Sequence, residues 1–285
     1  MRTKKDARKI TQKLIAPYNC YLVEQEKSEA TIEKYMRDLL AFFHHFEGKV
    51  LDKMDLLEWK TLLLDKYAPA SVNSMLAAIN GLMDYLNWSD LKVKPLKLQK
   101  AMFSDSKKEL SKEEYLRLVR TAKTKGNEKL SLIIQTICST GIRVSELKFI
   151  TVEAVQAGKV EINNKGKLRT IFLPQQLRSI LRKYLSKQKR TSGMIFVTRT
   201  GKPVNRSNIW RYMKALWKSA DVSASKVFPH NLRHLFARIY YTLEKDLSRL
   251  ADILGHSNVN TTRIYTMESG IVHAKQMERM GLIIT

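Results

Sequence analysis

Apolar residues recur at helical spacing through the first third of the chain. The pattern places them at i, i+3, i+4 and i+7 positions, which is typical of the buried stripe of an amphipathic helix. Four segments show it: 10–26, 31–46, 52–66 and the stretch from Pro69 to 86. Residues 1–90 are therefore predicted to form a small four-helix domain with its own core.

The regular pattern stops at residues 91–109. Pro95 and several lysines, including Lys94 and Lys97, interrupt the apolar spacing. Proline and dispersed charge are typical of an exposed connecting segment. We predict that a basic linker joins two domains here.

Residues 110–285 combine helical spacing with short alternating segments. Ser111, followed by Glu113 and Glu114, provides a hydroxyl cap and first-turn acids for a helix at 111–124. Further helices are predicted at 128–139, from Arg143, and at 175–189, 205–219, 230–242, 246–254 and 258–267. Strands are predicted at 159–163 and 168–173 around a turn, with a short strand at 194–197 that could join them. The expected fold class is mainly α with a small antiparallel β-sheet.

The composition is that of a globular protein in a reducing compartment. Of the 285 residues, 44% are hydrophobic, and no apolar run approaches the ~18 residues of a membrane span. The N-terminus is polar and basic, so we expect no export signal, no membrane association and a cytoplasmic location. Cys20 and Cys138 are far apart in the sequence, which argues against a disulfide framework or a zinc site.

The net charge is +24, and most of the excess lies in the second part of the chain. Residues 106–285 carry 34 Lys and Arg against 13 Asp and Glu, whereas residues 1–105 carry 17 against 14. This balance makes a polyanion the expected partner and favours nucleic acid over a membrane surface. A well-solvated basic surface is the alternative interpretation.

The predicted helix at 205–219 separates an apolar face from a basic one. The apolar face is expected to pack, which leaves the basic face free for phosphates. With the linker lysines and the helix start included, the predicted DNA contacts are Arg206, Arg211, Lys214, Lys218, Lys94 and Lys97. A solvated lysine face and an ordinary linker explain these residues equally well.

Two arginines of the second part could bind a phosphodiester without a metal ion. In-line attack builds negative charge on the phosphate oxygens, so a metal-free enzyme needs fixed cationic donors and a proton source. Arginine stays charged and can bond two oxygens at once. Arg143 follows a glycine turn, and Arg233 lies three residues after His230 on one helix face. We expect both arginines to bind the phosphate, with no metal and no cofactor.

Tyr265 is the candidate nucleophile. Tyrosine is a weak nucleophile at neutral pH because its pKa is ~10. Nearby arginines favour the phenolate, and a histidine can take its proton. Tyr265 ends a predicted polar helix, which is an unusual setting for a core tyrosine. His256 follows Leu254 and Gly255, where a helix should end, so its side chain can point into a cleft.

In order and spacing these residues resemble the signature of the tyrosine recombinases, or phage integrase family. The ordered set is Arg143, Lys165, His230, Arg233, His256 and Tyr265. The likeness covers nearly the whole chain and is greatest to compact Xer-type members. It implies a helical core-binding (SAM-like) domain at 1–90, a linker at 91–109 and a catalytic domain at 110–285. In the family the two arginines bind the scissile phosphate, and the tyrosine forms a 3′-phosphotyrosine and frees a 5′-hydroxyl.

The resemblance also implies roles in proton transfer. Lys165 on the hairpin turn matches the general acid for the 5′-oxygen, although Asn164 stands where many relatives have glycine, and Lys167 could be confused with it. His230 matches the histidine that assists proton transfer with the tyrosine. His256 matches the histidine that hydrogen-bonds the phosphate. Because attack by the partner strand's 5′-hydroxyl reverses cleavage, no ATP is expected to be consumed.

The implied assembly is a homotetramer on two DNA sites. The implied substrate is double-stranded DNA with inverted-repeat core sites, and a partner recombinase or an accessory DNA-bending protein could take part. Residues 270–285 carry an apolar stripe after a glycine, which predicts docking on a neighbouring subunit. Packing of this segment on its own domain is an equal alternative. Resolution, integration and excision of DNA elements all use this chemistry.

Two other functions fit parts of the sequence. A type IB topoisomerase uses similar tyrosine chemistry but relaxes supercoils as a monomer. The separate N-terminal helical domain and the His-x-x-Arg motif favour a recombinase over it. A DNA-binding regulator without catalysis could reuse the fold, and the presence of all six site residues argues against that function.

Overall fold

The computed structural model describes residues 8–98, 106–164, 167–265 and 277–280. The chain divides into two compact units between Lys100 and Ala101, and each unit buries its own apolar core. None of the helices in the described ranges combines the length and the apolar composition that a membrane crossing requires.

The first unit is built from four α-helices around one core. They are α1 (Ile15–Glu24), α2 (Glu29–Phe46), α3 (Lys53–Lys66) and α4 (Pro69–Tyr85), with 3₁₀ turns at Gln12–Leu14 and Ser89–Leu91. Phe42, Val72 and Leu82 have no exposed surface in this core. The Asp52 side chain accepts a hydrogen bond from the backbone of Asp55 and so caps α3. The four segments with helical apolar spacing therefore form helices, and these helices pack on each other.

Residues 91–98 lie against helix α4. The Asn80 side-chain amide makes two hydrogen bonds with the backbone of Val93, at 2.8 and 2.9 Å. Asn73, two turns earlier on α4, binds the backbone of Leu96 in the same way, at 2.7 and 2.9 Å. These pairs satisfy backbone groups that an extended segment otherwise leaves to water. This first part of the predicted linker is therefore held on the first unit.

The second unit is helical with one hairpin. Its helices are α5 (Lys112–Thr124), α6 (Glu128–Thr140), α7 (Val152–Ala157), α8 (Gln175–Lys187), α9 (Arg206–Lys214), α10 (Pro229–Glu244) and α11 (Leu247–Leu254). Its 3₁₀ turns are Ser106–Lys108, Val144–Phe149, Val259–Thr261 and Arg263–Tyr265. Strands β1 (Lys159–Asn164) and β2 (Lys167–Phe172) pair antiparallel, with Lys159 opposite Phe172.

Helix α6 is the central element of the second unit and packs against α5 and α10. Most of its residues are buried, and it ends at Gly141 in the left-handed region with φ 65°. A Cβ atom at this position would lie 2.5 Å from the Phe236 ring, so only glycine fits. The chain turns sharply there, and the turn brings Arg143 to the end of the helix.

The predicted α-helix at 258–267 is wrong over residues 258–265, and residues 266 and 267 lie outside the described ranges. The chain instead forms the 3₁₀ turns Val259–Thr261 and Arg263–Tyr265. The Asn258 side chain accepts a hydrogen bond from the Asn260 backbone at 2.8 Å. A short polar side chain that bonds the nearby backbone competes with the α-helical pattern, and this accounts for the error.

Two further predictions of local structure are corrected. The predicted strand at 194–197 does not join the sheet, because its two ends form only isolated bridges to Thr151 and Pro203. The predicted helix at 205–219 is too long. Helix α9 ends at Lys214, and the chain continues in turns with i to i+3 hydrogen bonds.

Candidate active site

Three helix ends meet at the candidate site, and Arg233 in the first turns of α10 joins them. Its guanidinium donates from Nη1 to the Gly141 carbonyl and from Nη2 to the Leu254 carbonyl, each at 2.6 Å. These carbonyls end α6 and α11, where helices leave acceptors unpaired. Only 2% of Arg233 is exposed. Burial first, and then the charge of Arg143, lower the pKa of Arg233 to about 10, so it remains a cation at neutral pH.

His256 is held between Arg233 and Thr262. Arg233 Nη2 lies 3.0 Å from His256 Nε2, and His256 Nδ1 lies 2.9 Å from the Thr262 hydroxyl oxygen. Because a guanidinium can only donate, Nε2 must accept, and the proton of the neutral imidazole is on Nδ1. Burial, followed by the charges of Arg233 and Arg143, lowers the pKa of His256 to about 4. His256 is therefore neutral at pH 7.

Arg143 binds the turn at Gly255 that ends α11 and precedes His256. Its Nη2 donates to the Gly255 carbonyl and its Nη1 to the Glu146 carboxylate, each at 3.0 Å. Glu146 is buried and also binds Arg169 of β2, which in turn donates to the Ile253 carbonyl at 3.0 Å. One carboxylate therefore serves two of the arginines. In the described part of the chain, the hydrogen-bond partners of the Arg233 guanidinium are two carbonyls, the His256 imidazole and the Tyr265 side chain, none of them a carboxylate, so the cluster carries excess positive charge.

The ring of Tyr265 is buried beside this cluster, with 4% of the residue exposed. It packs with apolar side chains of α10 and α11, including Ala237, Leu250 and Leu254. Its centroid lies 6.0 Å from the nearly parallel ring of His256. The polar setting that the sequence suggested for this tyrosine is thus replaced by an apolar one on the ring side.

His230 lies in the first turn of α10 and is exposed at a cavity of about 310 Å³. Arg143, Arg206, Trp210 and Arg233 also line this cavity. Desolvation, followed by the charges of these three arginines, with Arg233 first, lowers the pKa of His230. A proton acceptor therefore faces an opening that is rich in fixed positive charge.

The structure brings five of the six predicted catalytic residues together. They are Arg143, His230, Arg233, His256 and Tyr265. Lys165 lies outside the described residues. Strand β2, which begins at Lys167, reaches the cluster, because Arg169 binds Glu146.

The predicted DNA contacts of α9 have different surroundings. Arg206 lines the cavity, while Arg211 and Lys218 are exposed. Lys218 follows the end of α9, so it does not continue the helical face. Lys214 is half-buried, and its ammonium donates to the Ala224 carbonyl.

Exposed aromatic rings alternate with these cations. Arg211 lies over the Tyr212 ring at 5.5 Å, and Lys218 lies over the Trp217 ring at 5.6 Å. Such pairs hold the cations near the surface while leaving them hydrated. In the first unit, the predicted contacts Lys94 and Lys97 are both exposed.

The sequence interpretation did not assign several residues that shape the site. They are Glu146, Arg169, Thr262, His234 and Trp210. Glu146 has a local signal, since it lies three residues after Arg143 at capping-box spacing. Arg169 and Thr262 have no such signal, because their partners are set by the tertiary fold.

The described residues do not form a metal-binding site. They contain no group of three His, Cys, Asp or Glu side chains placed to hold an ion. Cys20 is exposed and Cys138 is buried, and both are free thiols. The functional groups that converge are instead cationic donors, imidazoles and a phenol.

Comparison with known proteins identifies the family. Residues 108–270 match the phage integrase family, and residues 15–90 match the phage integrase N-terminal SAM-like domain. The chain belongs to the phage integrase family. It is 28% identical to the tyrosine recombinase XerA of Pyrococcus furiosus, with 96% of both chains covered. It is also 28% identical to the tyrosine recombinase XerD of Haemophilus influenzae, over 87% of this chain and 90% of that protein.

Solved structures of similar fold include recombinases bound to DNA. XerH in a pre-cleavage complex with its difH substrate has a TM-score of 0.71 at 20% identity, with 96% of this chain and 85% of that chain covered. A lambda integrase tetramer bound to a Holliday junction has a TM-score of 0.71 at 16% identity, with 89% and 76% covered. The predicted family and the predicted fold class are both confirmed.

Proposed function

We propose that this protein is a site-specific tyrosine recombinase, which cuts and rejoins DNA strands and exchanges them between two sites. The observation that carries the proposal is the hydrogen-bonded cluster of Arg143, Arg233 and His256 beside the ring of Tyr265. Its excess positive charge fits the charge that develops on a phosphodiester in the transition state. Family membership supports the same chemistry.

In this proposal Tyr265 attacks the scissile phosphorus, and the bond from phosphorus to the 5′-oxygen breaks. The phenolic proton leaves toward His230, whose lowered pKa keeps it neutral and able to accept. Lys165 gives a proton to the departing 5′-oxygen. The product is a 3′-phosphotyrosine and a 5′-hydroxyl, and attack by a 5′-hydroxyl of the partner strand reverses the step.

Arg143 and Arg233 bind the phosphate oxygens during this reaction. Arg233 is pre-organised, because two carbonyls fix its guanidinium before any substrate arrives. Arg143 is about a third exposed and lines the same cavity as Arg233. Fixed donors of this kind stabilise charge without reorganisation at the moment of reaction.

Duplex DNA is held by basic residues outside the cluster. We assign phosphate contacts to Arg206 at the cavity and to Arg211, Lys214 and Lys218 along and beyond α9. In the first unit we assign them to Lys94 and Lys97, which follow α4. The ammonium of Lys214 has a carbonyl partner, so its contribution is the smallest of the set on α9.

The active assembly in this proposal is a homotetramer on two inverted-repeat core sites in the cytoplasm. The lambda integrase tetramer on a Holliday junction supports this arrangement through its similar fold. We further propose that residues 91–109 connect the two DNA-binding units and that residues 270–285 dock on a neighbouring subunit. A partner recombinase or a DNA-bending protein can complete the assembly.

A plasmid with two copies of the binding site tests the proposal. The site is first selected from a random-sequence duplex pool by binding. The protein should then give recombined circles with EDTA present and ATP absent. Relaxation of supercoils without exchange would instead indicate a topoisomerase. A chain truncated after Gly270 should bind single sites and lose exchange, and full recombination by that chain would contradict docking between subunits.

A further inference from the structure

The hydroxyl of Thr262 is the partner of His256 on the side away from Arg233. Thr262 has no exposed surface, and its Oγ1 lies 2.9 Å from His256 Nδ1. Its backbone N–H is bonded to the Val259 carbonyl at 2.8 Å, so the 3₁₀ turn fixes the position of the residue. A buried hydroxyl is therefore the fixed partner of the His256 ring nitrogen that does not contact Arg233.

The present arrangement leaves His256 with no proton for a phosphate. Nε2 accepts from Arg233, and the imidazole proton is on Nδ1 and points to Thr262. A phosphate oxygen can only accept, so His256 can bind it only through a proton on Nε2. On binding, Nδ1 must therefore give its proton to solvent water and Nε2 must take one from it, while the ring stays neutral; His256 lines an open cavity through which water can reach it.

A threonine hydroxyl fits both forms of the ring because it can accept and donate. Building on the function proposed above, we propose that Thr262 is a positioning residue that lets His256 change tautomer when the scissile phosphate binds. Without phosphate, the hydroxyl accepts from Nδ1–H. With phosphate, the hydroxyl rotates and donates to Nδ1, and Nε2–H faces the phosphate oxygen in place of Arg233. The imidazole keeps its buried partner in both states.

The chain offers variants that isolate the hydroxyl. Thr262→Val keeps the side-chain shape and removes the hydroxyl, whereas Thr262→Ser keeps the hydroxyl. Thr136→Val is the matched control, because Thr136 is also fully buried and its hydroxyl bonds the Leu132 carbonyl of α6 at 2.8 Å, outside the site. Thermal unfolding of each variant shows whether it is folded.

The first measurement is nitrogen NMR of the full chain labelled with ¹⁵N-histidine, in which His256 is assigned by its loss in His256→Gln. Sulfate is the probe, because it only accepts hydrogen bonds. Wild type and Thr262→Ser should carry the proton on Nδ1 when free and on Nε2 with saturating sulfate. Thr262→Val should still carry the proton on Nδ1 when free, because Arg233 donates to Nε2, and should shift to Nε2 only in part with saturating sulfate. A free wild-type ring protonated at Nε2, or a Thr262→Val spectrum with sulfate equal to that of wild type, would overturn the proposal.

The second measurement is single-turnover cleavage of a bound suicide duplex. Thr262→Val should form the covalent adduct roughly five- to a hundred-fold more slowly, because a buried imidazole nitrogen is left without a partner. Thr262→Ser and Thr136→Val should stay within about threefold of wild type. Equal rates for Thr262→Val and wild type would contradict the proposal. If wild type itself formed no adduct, the proposed recombinase function would fail, while the NMR result would still decide the role of Thr262.

Discussion

The ring of His234 meets the ring of Tyr265 edge to face, with the centroids 4.6 Å apart and the planes at 77°. His230, one turn before it on α10, also meets His234 edge to face, with the centroids 4.5 Å apart and the planes at 78°. Such edge-to-face pairs hold two rings in a defined orientation. His234 therefore contacts both the proposed nucleophile and its proposed proton acceptor.

Removing this ring should impair cleavage more than binding. His234→Ala frees the Tyr265 ring to move, and a small misplacement of a reacting group can lower a rate by about a hundredfold. We expect adduct formation to fall roughly ten- to a hundred-fold on a bound suicide duplex. His234→Phe keeps the edge-to-face contact and should retain most of the rate.

The matched control for this variant is His45→Ala. His45 of the first unit also contacts two aromatic rings, Phe46 and Trp59, each at 4.6 Å. Its loss should leave the cleavage rate of the bound complex unchanged. Equal losses in His234→Phe and His234→Ala would mean that a ring nitrogen, rather than the ring shape, is required.

The stability of the second unit should fall as the pH is lowered. Burial is the main cause that lowers the pKa of both His234 and His256 to about 4, against 6.5 for the unperturbed side chain. The unfolded chain thus binds these protons first, so the stability is fully present above pH 6.5 and is lost as the pH falls toward 4. The expected loss is on the order of 1–3 kcal/mol for each histidine.

Urea unfolding at pH 7 and pH 5 measures this effect. Both pH values lie above the range in which most carboxylates titrate, so protonation of carboxylates contributes little to the difference. His256→Gln should reduce the loss of stability between the two pH values, whereas His44→Gln, at an exposed position of the first unit, should not. Equal stability of the wild type at both pH values would contradict the neutral, half-buried state of these two histidines.

Glu146 should contribute to both stability and cleavage. Its carboxylate is 3% exposed and binds Arg143 and Arg169, so Glu146→Gln leaves two guanidinium groups without their counter-charge. Breaking a buried ion pair by removing one partner typically costs about 3–5 kcal/mol. We expect a loss at the lower end of that range in urea unfolding, because Arg143 is partly exposed, together with slower adduct formation.

The control for this prediction is Glu161→Gln. Glu161 on β1 pairs with Lys159, and about half of each side chain is exposed. Exposed pairs contribute little, so the free energy of unfolding should change by less than about 0.5 kcal/mol. A Glu146→Gln protein as stable as Glu161→Gln would show that the arginines do not depend on this carboxylate.

The basic surface of α9 should contribute to affinity rather than to chemistry. Each lost phosphate contact lowers the slope of log affinity against log salt concentration by about 0.9. Arg211→Ala combined with Lys218→Ala should therefore reduce the slope by about 2 and weaken binding to all sequences alike. The cleavage rate of the saturated complex should remain unchanged. A loss confined to one DNA sequence would instead indicate base contacts.

Much of the site could be located from the sequence because short local patterns, such as a glycine that ends a helix, mark where its residues lie. Gly141 and Gly255 each predict a helix end, and both adopt the left-handed conformation that ends α6 and α11. The helix ends then present Arg143 and His256 to the cleft. The helical spacing likewise predicted the core of the first unit.

The rest of the site depends on contacts between distant parts of the chain. Arg169 binds the carbonyl of Ile253, 84 residues away, and nothing near either residue signals the contact. Thr262 was counted in a polar helix, and its role follows only from the 3₁₀ turn that carries it toward His256. The Asn258 side chain accepts a hydrogen bond from the Asn260 backbone and so favours that turn over an α-helix. The apolar periodicity of a sequence does not detect such a hydrogen bond.

Covalent trapping tests the central claim most directly. The protein is mixed with a nicked suicide duplex that carries its selected site, EDTA is added, and the products are separated on a denaturing gel. The account predicts a protein–DNA adduct in wild type and none in Tyr265→Phe, although both bind the site equally. An adduct that persists in Tyr265→Phe, or no adduct on a site that wild type demonstrably occupies, would contradict it.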